Sequence, residues 1–421
     1  RGAAARMSDP FPDPRRRPPG RVEGPWDEQD LDLASPAPAV DQPMTRRELR
    51  ARQSGSAVRV PPAPRHPHEQ RPPDGAARPA DPRPPAPPPG FPAPGEAPAG
   101  VSRGNPVILP VCAVLLAAWA ATCLLDIANP ALVALATMCP LVGVLAVPVI
   151  ALAVRRRRLV TAALAAVAAL LPWVLVSGYA AGGPGPVPGR GDVPVRVLTV
   201  NAELGQANAA QIVNAVRGNE VDVLVVTELT GGLAHDLTVQ GIGGTLTPAW
   251  VAVDGTPAGG GIGVWSSSRF GPPRVTPLPG TRWPAGRIVL ATPAGPLTVI
   301  AAHVSQPFPS DTRSWRQDLR VIGTAVPDDG QPRLVVGDLN ATPWHAALRT
   351  LSGAGMHDAA DVLGKGLRNT WPQWTPIPLA ALDHVLVGGP VGVRSVRTLV
   401  VDGTDHRGLL VEATLPRSVG D

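Results

Sequence analysis

An ordered set of polar residues closes a series of apolar runs in the C-terminal half of the chain. Asn201 ends VLTVN, Glu228 follows VDVLVVT, and His303 ends LTVIAAH. Asp338 and Asn340 flank a leucine in LVVGDLN, Asp383 opens DHVLV, and Asp405 and His406 precede GLLVEA. Each stands where a buried strand should meet a loop, the place where sheet proteins carry reactive groups. Carboxylate and amide oxygens suit Mg²⁺, a hard cation that prefers oxygen ligands and keeps several waters. Imidazoles beside them can move a proton or steady a charged oxygen. Together these residue types describe a divalent metal and a phosphate under attack.

The elements that must position them are short β-prone runs: VRVLTV, DVLVVT, GIGVWSS, RIVLAT, LTVIAAH, RLVVGD, LDHVLV and GLLVEATL. The pattern between them predicts helices over 208–217 and 312–326, with a shorter one over 344–352. The result is an α/β domain over 193–416 without an internal repeat. The glycines of AGGGIGVWSS are not followed by a helix carrying a Lys-Ser/Thr pair, so they do not form a nucleotide phosphate loop. They read as a strand entry with close backbone packing.

Upstream the composition changes. Residues 1–104 are crowded with Pro, Ala, Gly and Arg and hold few large apolar side chains. Such a stretch cannot offset the entropy of ordering, and a disordered tail is expected. Three apolar runs follow, at 107–125, 131–154 and 159–180, each near the ~20 residues that cross a bilayer. Pro140, Pro148 and Pro172 within or beside them are better tolerated in membranes than in soluble helices. Three transmembrane helices are therefore expected over 105–181. The Arg-containing tail and the arginines at 155–158 place those ends inside, and the loop at 126–130 and the C-terminal domain outside. Residues 182–192 form a Gly/Pro linker, and 417–421 a C-terminal tail.

The 421-residue chain carries a formal net charge of +5. The C-terminal domain does not share that excess: residues 184–421 hold 18 Lys+Arg against 19 Asp+Glu. A duplex-binding face usually carries its basic excess on the domain itself, so nucleic acid is the less favoured partner. The three cysteines, Cys112, Cys123 and Cys139, all lie in the apolar runs. The C-terminal domain thus has neither a disulfide framework nor a thiolate metal site.

The polar set, in this order, resembles the endonuclease/exonuclease/phosphatase superfamily, the DNase I-like fold. VVGDLNATPWH resembles the family's Gly-Asp-Phe-Asn signature, with Leu339 in place of Phe, and GTDHRG resembles its closing Ser-Asp-His, with Thr404 in place of Ser. The resemblance implies a four-layer α/β sandwich and a Mg²⁺-dependent phosphoesterase, with Mn²⁺ as an alternative metal. It makes Glu228 the principal metal ligand, with Asn201 and Asp405 at the metal or phosphate. Asp338 becomes the base or orienter of the attacking water, and Asn340 holds that carboxylate or a phosphate oxygen. Asp383 accepts one imidazole N–H of His406, and His303 donates to the phosphate. Whether Asp338 or the Asp383–His406 pair removes the water's proton stays open; a doubly protonated His406 would stabilise phosphate charge instead. Trp371 in NTWP matches an aromatic position that shapes the substrate pocket. His235, His345, His357 and His384 read as structural.

The membrane spans joined to an outward domain resemble membrane-anchored actinobacterial proteins associated with teicoplanin resistance. That likeness implies a lipid-linked envelope substrate, such as a polyprenyl pyrophosphate. The alternatives are an extracytoplasmic nuclease and an inactive membrane scaffold. No protein partner is evident.

Overall fold

The computed structural model describes residues 105–253, 260–308 and 312–417. The Pro-rich tail at 1–104 and residues 418–421 lie outside the described residues.

The apolar runs form helices Ile108–Ala121, Pro130–Thr137, Pro140–Arg155 and Leu159–Leu175. Asn129 caps the second, its side chain accepting from Ala131 N at 3.0 Å and Leu132 N at 3.2 Å, with Pro130 in the first turn. The run expected to be one span is therefore two helices, bent by 72°. Pro140 begins the second piece, because proline fits a first turn but breaks an interior. Among the described residues no single helix is long and apolar enough to cross a membrane; the bent pair qualifies by length and composition together. The helices meet through small residues, Ala120, Ala146 and Ala168, beside Leu116 and Val142. Their outer faces expose Val114, Leu115, Val144, Val147, Val167 and Leu170.

The α/β part contains β1 (Val193–Asn201), β2 (Val223–Leu229), β3 (Leu246–Ala252), β4 (Gly261–Ser267), β5 (Arg274–Pro277) and β6 (Ala285–Thr292). β7 (Gly295–Ala302), β8 (Arg333–Asp338), β9 (Met356–Asp358), β10 (Asp383–Gly388), β11 (Gly392–Leu399) and β12 (Gly408–Leu415) follow. They form two six-stranded sheets, ordered β11-β12-β1-β2-β4-β3 and β5-β6-β7-β8-β10-β9. Period-two alternation explains the layers. Val223 and Val225 of β2 face Val336 of β8 and Val385 of β10 across the inter-sheet core. Leu224 and Val226 point the other way, against Ile212, Val216 and Leu233 of helices Ala209–Gly218 and Gly231–Val239. On the second sheet, Ile300, Val335 and Leu386 meet Trp315, Leu319 and Leu351 of helices Thr312–Ala325 and Ala346–Gly353. Helix, sheet, sheet and helix thus stack as four layers, matching the expected sandwich.

The loop after β8 touches one end of the helical bundle. Trp344 Nε1 donates to Pro172 O at 3.0 Å, Arg349 donates to Cys123 O, and Arg316 forks onto Asp126 with both bonds at 2.7 Å. Cys123 and Cys139 are disulfide-bonded at this end. Arg158, at the opposite end of Leu159–Leu175, donates to Pro106 O where the first helix begins.

Candidate active site

Two parallel strands, β1 and β2, deliver Asn201 and Glu228 to the same end of the first sheet. Glu228 sits where the β2–β4 register slips between Thr227 and Leu229, and its φ is +52°. Such a bulge re-aims a side chain, and a positive φ outside glycine is a conformation held by its surroundings. Gly261 makes the bulge possible, since a Cβ there would collide with Leu229 O. This is the close backbone packing that the AGGGIG glycines suggested.

The second sheet supplies Asp338 from β8 and Asp383 from β10, which are direct antiparallel partners. Gly337, in front of Asp338, has φ +141°, and a Cβ there would strike Ala302 O of β7. The glycine of the Gly-Asp-Leu-Asn segment is thus required by close strand approach. Asn340, at φ +46°, donates its backbone N–H to Asp338 Oδ1 at 2.8 Å and its side-chain amide to Val304 O at 2.9 Å. Its backbone, more than its side chain, holds the Asp338 carboxylate.

The two sheets meet through Asn201, whose Nδ2 donates to Glu228 Oε1 at 3.0 Å and to Asp338 Oδ2 at 2.8 Å. Glu228 Oε2 accepts from Leu204 N at 2.8 Å. The loop before β12 brings Asp405 and His406. Thr404 fixes that loop by donating to Asn201 O at 2.8 Å while accepting from His406 N at 3.1 Å. His406 Nδ1 lies 2.7 Å from Asp383 Oδ2, and its Nε2 faces Asp405 at 3.8 Å and Asp338 at 4.0 Å. Trp371 Nε1 donates to Asp405 Oδ2 at 3.0 Å. His303 is buried between Trp283, whose ring stacks on it at 6.2 Å, and Glu228 Oε1, 3.7 Å from its Nε2. Among the described residues neither His303 ring nitrogen has a hydrogen-bond partner.

Burial and the neighbouring Asp383 raise the Asp338 pKa to about 6, against the pull of His406 and His303. Burial opposes protonation of His406, but Asp383, by charge and hydrogen bond, with Asp338 and Asp405, carries it up to about 10. Burial pushes His303 down, chiefly by desolvation, so it stays neutral. The site therefore combines a carboxylate titrating near neutrality, a cationic imidazole and an unpartnered neutral one.

Glu228, His303, Asn340, Trp371, Asp405 and His406 help to line one cavity of about 750 Å³, and Asn201, Asp338 and Asp383 are buried beneath that lining. Ligand atoms of Glu228, His303 and Asp338 lie within 4.8 Å of one another, as do those of Asp338, Asp383 and His406. Oxygen donors from acids and no thiolate fit a hard divalent cation.

Sequence reading missed several lining residues. Arg282 and Trp283 lie in the turn before β6, outside any motif, and Phe308 and Gln306 lie in the loop after His303. Asp318, on helix Thr312–Ala325, is buried and accepts from Ser305 N at 2.9 Å, Ser305 Oγ at 2.6 Å and Arg282 N at 2.8 Å. It pins two site loops; its signal was an acid on an otherwise apolar helix face. His384 does hold structure: its nitrogens meet Asp358 at 2.5 Å and Ala341 O at 2.8 Å. His345 lines the cavity as well as bonding to the helical bundle.

Residues 198–406 match the Endonuclease/Exonuclease/phosphatase family. No curated protein matches the chain at a significant level. Among solved structures, TDP2 of D. rerio complexed with single-strand DNA product is 17% identical, with 53% of this chain and 99% of that one covered and a TM-score of 0.44. The endonuclease/exonuclease/phosphatase of Beutenbergia cavernae is 20% identical over 53% of this chain and 72% of that one, with a TM-score of 0.39. The one from Bacteroides vulgatus is 17% identical over 53% and 100%, with a TM-score of 0.42.

Proposed function

We propose that this chain, whose residues 198–406 match the endonuclease/exonuclease/phosphatase family, is a metal-dependent hydrolase that cleaves a phosphate ester or pyrophosphate carried by a membrane lipid. The observation that carries the hydrolytic reading is the convergence of Asn201, Glu228, Asp338, Asp383 and His406, from both sheets, in one buried cluster whose Glu228 and His406 line the cavity. A cation such as Mg²⁺ or Mn²⁺, bound by Glu228 with Asn201 and Asp405 close by, would neutralise charge on the attacked phosphate. Asp338 takes the proton of the attacking water, since its carboxyl titrates near neutrality. His406, held cationic by Asp383, faces the developing phosphate charge rather than acting as the base. His303 donates a ring N–H to a phosphate oxygen. Trp371 orients Asp405 and forms part of the wall that the leaving group meets.

The lipid part of this reading rests on the rest of the chain. Helices whose exposed faces are almost wholly apolar are costly in water and at home in hydrocarbon. We place the helices of 105–181 across a membrane and the domain 193–416 on its outer side. One feature supports that orientation. Arg155 to Arg158 stand at the end where Arg158 meets Pro106, whereas the domain touches the other end. The domain also lacks the basic excess that a duplex-binding nuclease would show.

The test is turnover by the full chain in detergent with Mg²⁺ on a polyprenyl pyrophosphate, a soluble phosphomonoester and duplex DNA. Faster hydrolysis of the lipid, with weak and salt-sensitive DNA cleavage, is expected. Robust DNA cleavage without lipid hydrolysis would replace this reading with the nuclease. A reporter fused after Asp421 should report the outer side.

A further inference from the structure

Beside the catalytic cavity lies a second one, of about 640 Å³, that the chemistry above does not use. The turn through Gly280 and Arg282 forms one wall, and the helix Thr312–Ala325 forms another. Ala128, from the loop at the domain-touching end of the bundle, contributes a third. Arg313, Arg316 and Arg320 follow one another at i, i+3 and i+7, so they share a helix face. Arg282 lines this cavity and the catalytic one, and so stands in the wall between them.

Four guanidinium groups around one void repel each other unless something compensates them. Among the described residues, the nearby acids do little of that. Asp126 forks onto Arg316 alone. Asp318 is buried and spends its oxygens on Ser305 and on the backbone N–H of Arg282. Among the described residues, the side chains of Arg282, Arg313 and Arg320 have no acidic partner. Arg282 instead lies 5.4 Å over the ring of Trp283, the ring that stacks on His303. Arg313 and Arg320 are exposed and free to meet a ligand, while Arg316 is half-buried. Here the charges line a cavity and border the reaction site.

We infer that this cavity is a second, non-catalytic phosphate site, and that the phosphate it takes is the headgroup of an anionic membrane lipid lying beside the substrate. Guanidinium forks match phosphate oxygens in pairs, which a point charge does not. The position selects the lipid source: Asp126 and Ala128 belong to the loop between the first two apolar runs, where head groups would lie. The lipid source rests on the membrane reading above; the phosphate site itself does not. An occupied site would hold the domain down on the bilayer with its catalytic mouth beside the head groups.

The test is calorimetric titration of the full chain in neutral detergent with a chelator present, so that the catalytic site is without metal. The probes are dihexanoyl phosphatidylglycerol, dihexanoyl phosphatidylcholine and inorganic phosphate. The variants are the double substitution Arg313→Gln/Arg320→Gln, at two exposed positions, and Glu228→Gln as a catalytic-site control. Phosphatidylglycerol should bind the parent and Glu228→Gln equally and the double variant at least about tenfold more weakly, since two charge-assisted forks are lost. Phosphatidylcholine should bind far more weakly than phosphatidylglycerol. Arginine-dependent binding of inorganic phosphate without phosphatidylglycerol binding would overturn the lipid source and assign a soluble anion. Equal binding to parent and double variant would overturn the site. Because no turnover is read, this result and the substrate panel can fail independently.

Discussion

The floor and the lip of the catalytic cavity each carry a buried histidine, and their surroundings force different charge states on them, one cationic and one neutral. On the floor, His406 is ringed by Asp383, Asp338 and Asp405 and is carried up to about 10 despite its burial. On the bundle-facing lip, His345 is buried to a similar degree. Its Nδ1 accepts the Thr342 N–H at 2.8 Å, and its Nε2 reaches Val133 O and Thr137 Oγ1, both at 3.1 Å. A proton on Nδ1 would face that N–H, so the ring is held neutral. Burial, with Arg349 and His384 adding to it, pushes its pKa down to about 4. Desolvation has the same sign at both sites. The difference lies in the partners: carboxylates make a charged group for chemistry, and a backbone donor makes a neutral clasp for docking.

The comparison breaks most visibly at the floor. His406→Ala and Asp338→Asn should each lower kcat by about 10²–10⁴, the range of a lost proton-transfer or charge-stabilising group. If the two act on one reacting unit, the double variant should be little worse than the worse single one. Fully additive losses in single-turnover assays would mean that they act separately. Next in size is Glu228→Gln. Removing the bulge-held carboxylate should weaken Mg²⁺ or Mn²⁺ binding by about 100-fold, measured by calorimetry. Unchanged metal affinity would move the metal away from Glu228.

Legibility in the sequence followed the same division. The eight β-prone runs are the eight interior strands of the two sheets. The four strands not anticipated, β3, β5, β9 and β11, are the four sheet edges. Edge strands face solvent and lose their apolar alternation, as in the half-exposed LTPAWVA of β3 and the four-residue β5. The residues that came together on the floor were visible because each stands at or beside an end of a buried strand, so sequence context and position agree. Trp283, Arg282 and Asp318 stayed hidden because a turn and a polar helix give such residues many other uses. His345 was legible as structural, but not as the link between helical bundle and cavity. That role depends on Val133 and Thr137, more than 200 residues earlier in the chain.

The lip can be tested through pH. His345 has a folded pKa near 4, below the ~6.5 of an unfolded chain. Between those values the unfolded state binds the extra proton, so this group's stabilisation is complete above about pH 6.5 and is lost as pH falls toward 4. The loss is at most about 3 kcal/mol. His345→Gln keeps an acceptor and a donor but cannot titrate. Apparent Tm of the full chain in detergent, followed from pH 7.5 to 4.5, should fall more steeply in the parent than in the variant. Comparing the two removes the opposite contribution of Asp338, whose raised pKa favours the folded state on acidification. Parallel curves would show that the His345 clasp does not exclude the proton.

The smallest effect expected is also the one that separates lip from floor most cleanly. Trp344 lies four residues beyond Asn340, yet its indole points away from the reacting groups. Its Nε1 bonds Pro172 O, and its ring meets Trp173 edge-on at 6.4 Å. Trp344→Phe removes one hydrogen bond and part of a buried ring, which should cost about 1–2 kcal/mol in stability. The Gly-Asp-Leu-Asn turn is held independently, by Val304, Leu382 and the Asx bond of Asp338. Turnover of a soluble phosphomonoester by the folded variant should therefore stay within about twofold of the parent, as expected for a residue outside the reacting unit. A kcat loss on the scale of His406→Ala would mean that docking on the helices sets the geometry of Asp338. The lip would then belong to the catalytic machinery, and the contrast between the two histidines would describe one coupled site rather than two regions.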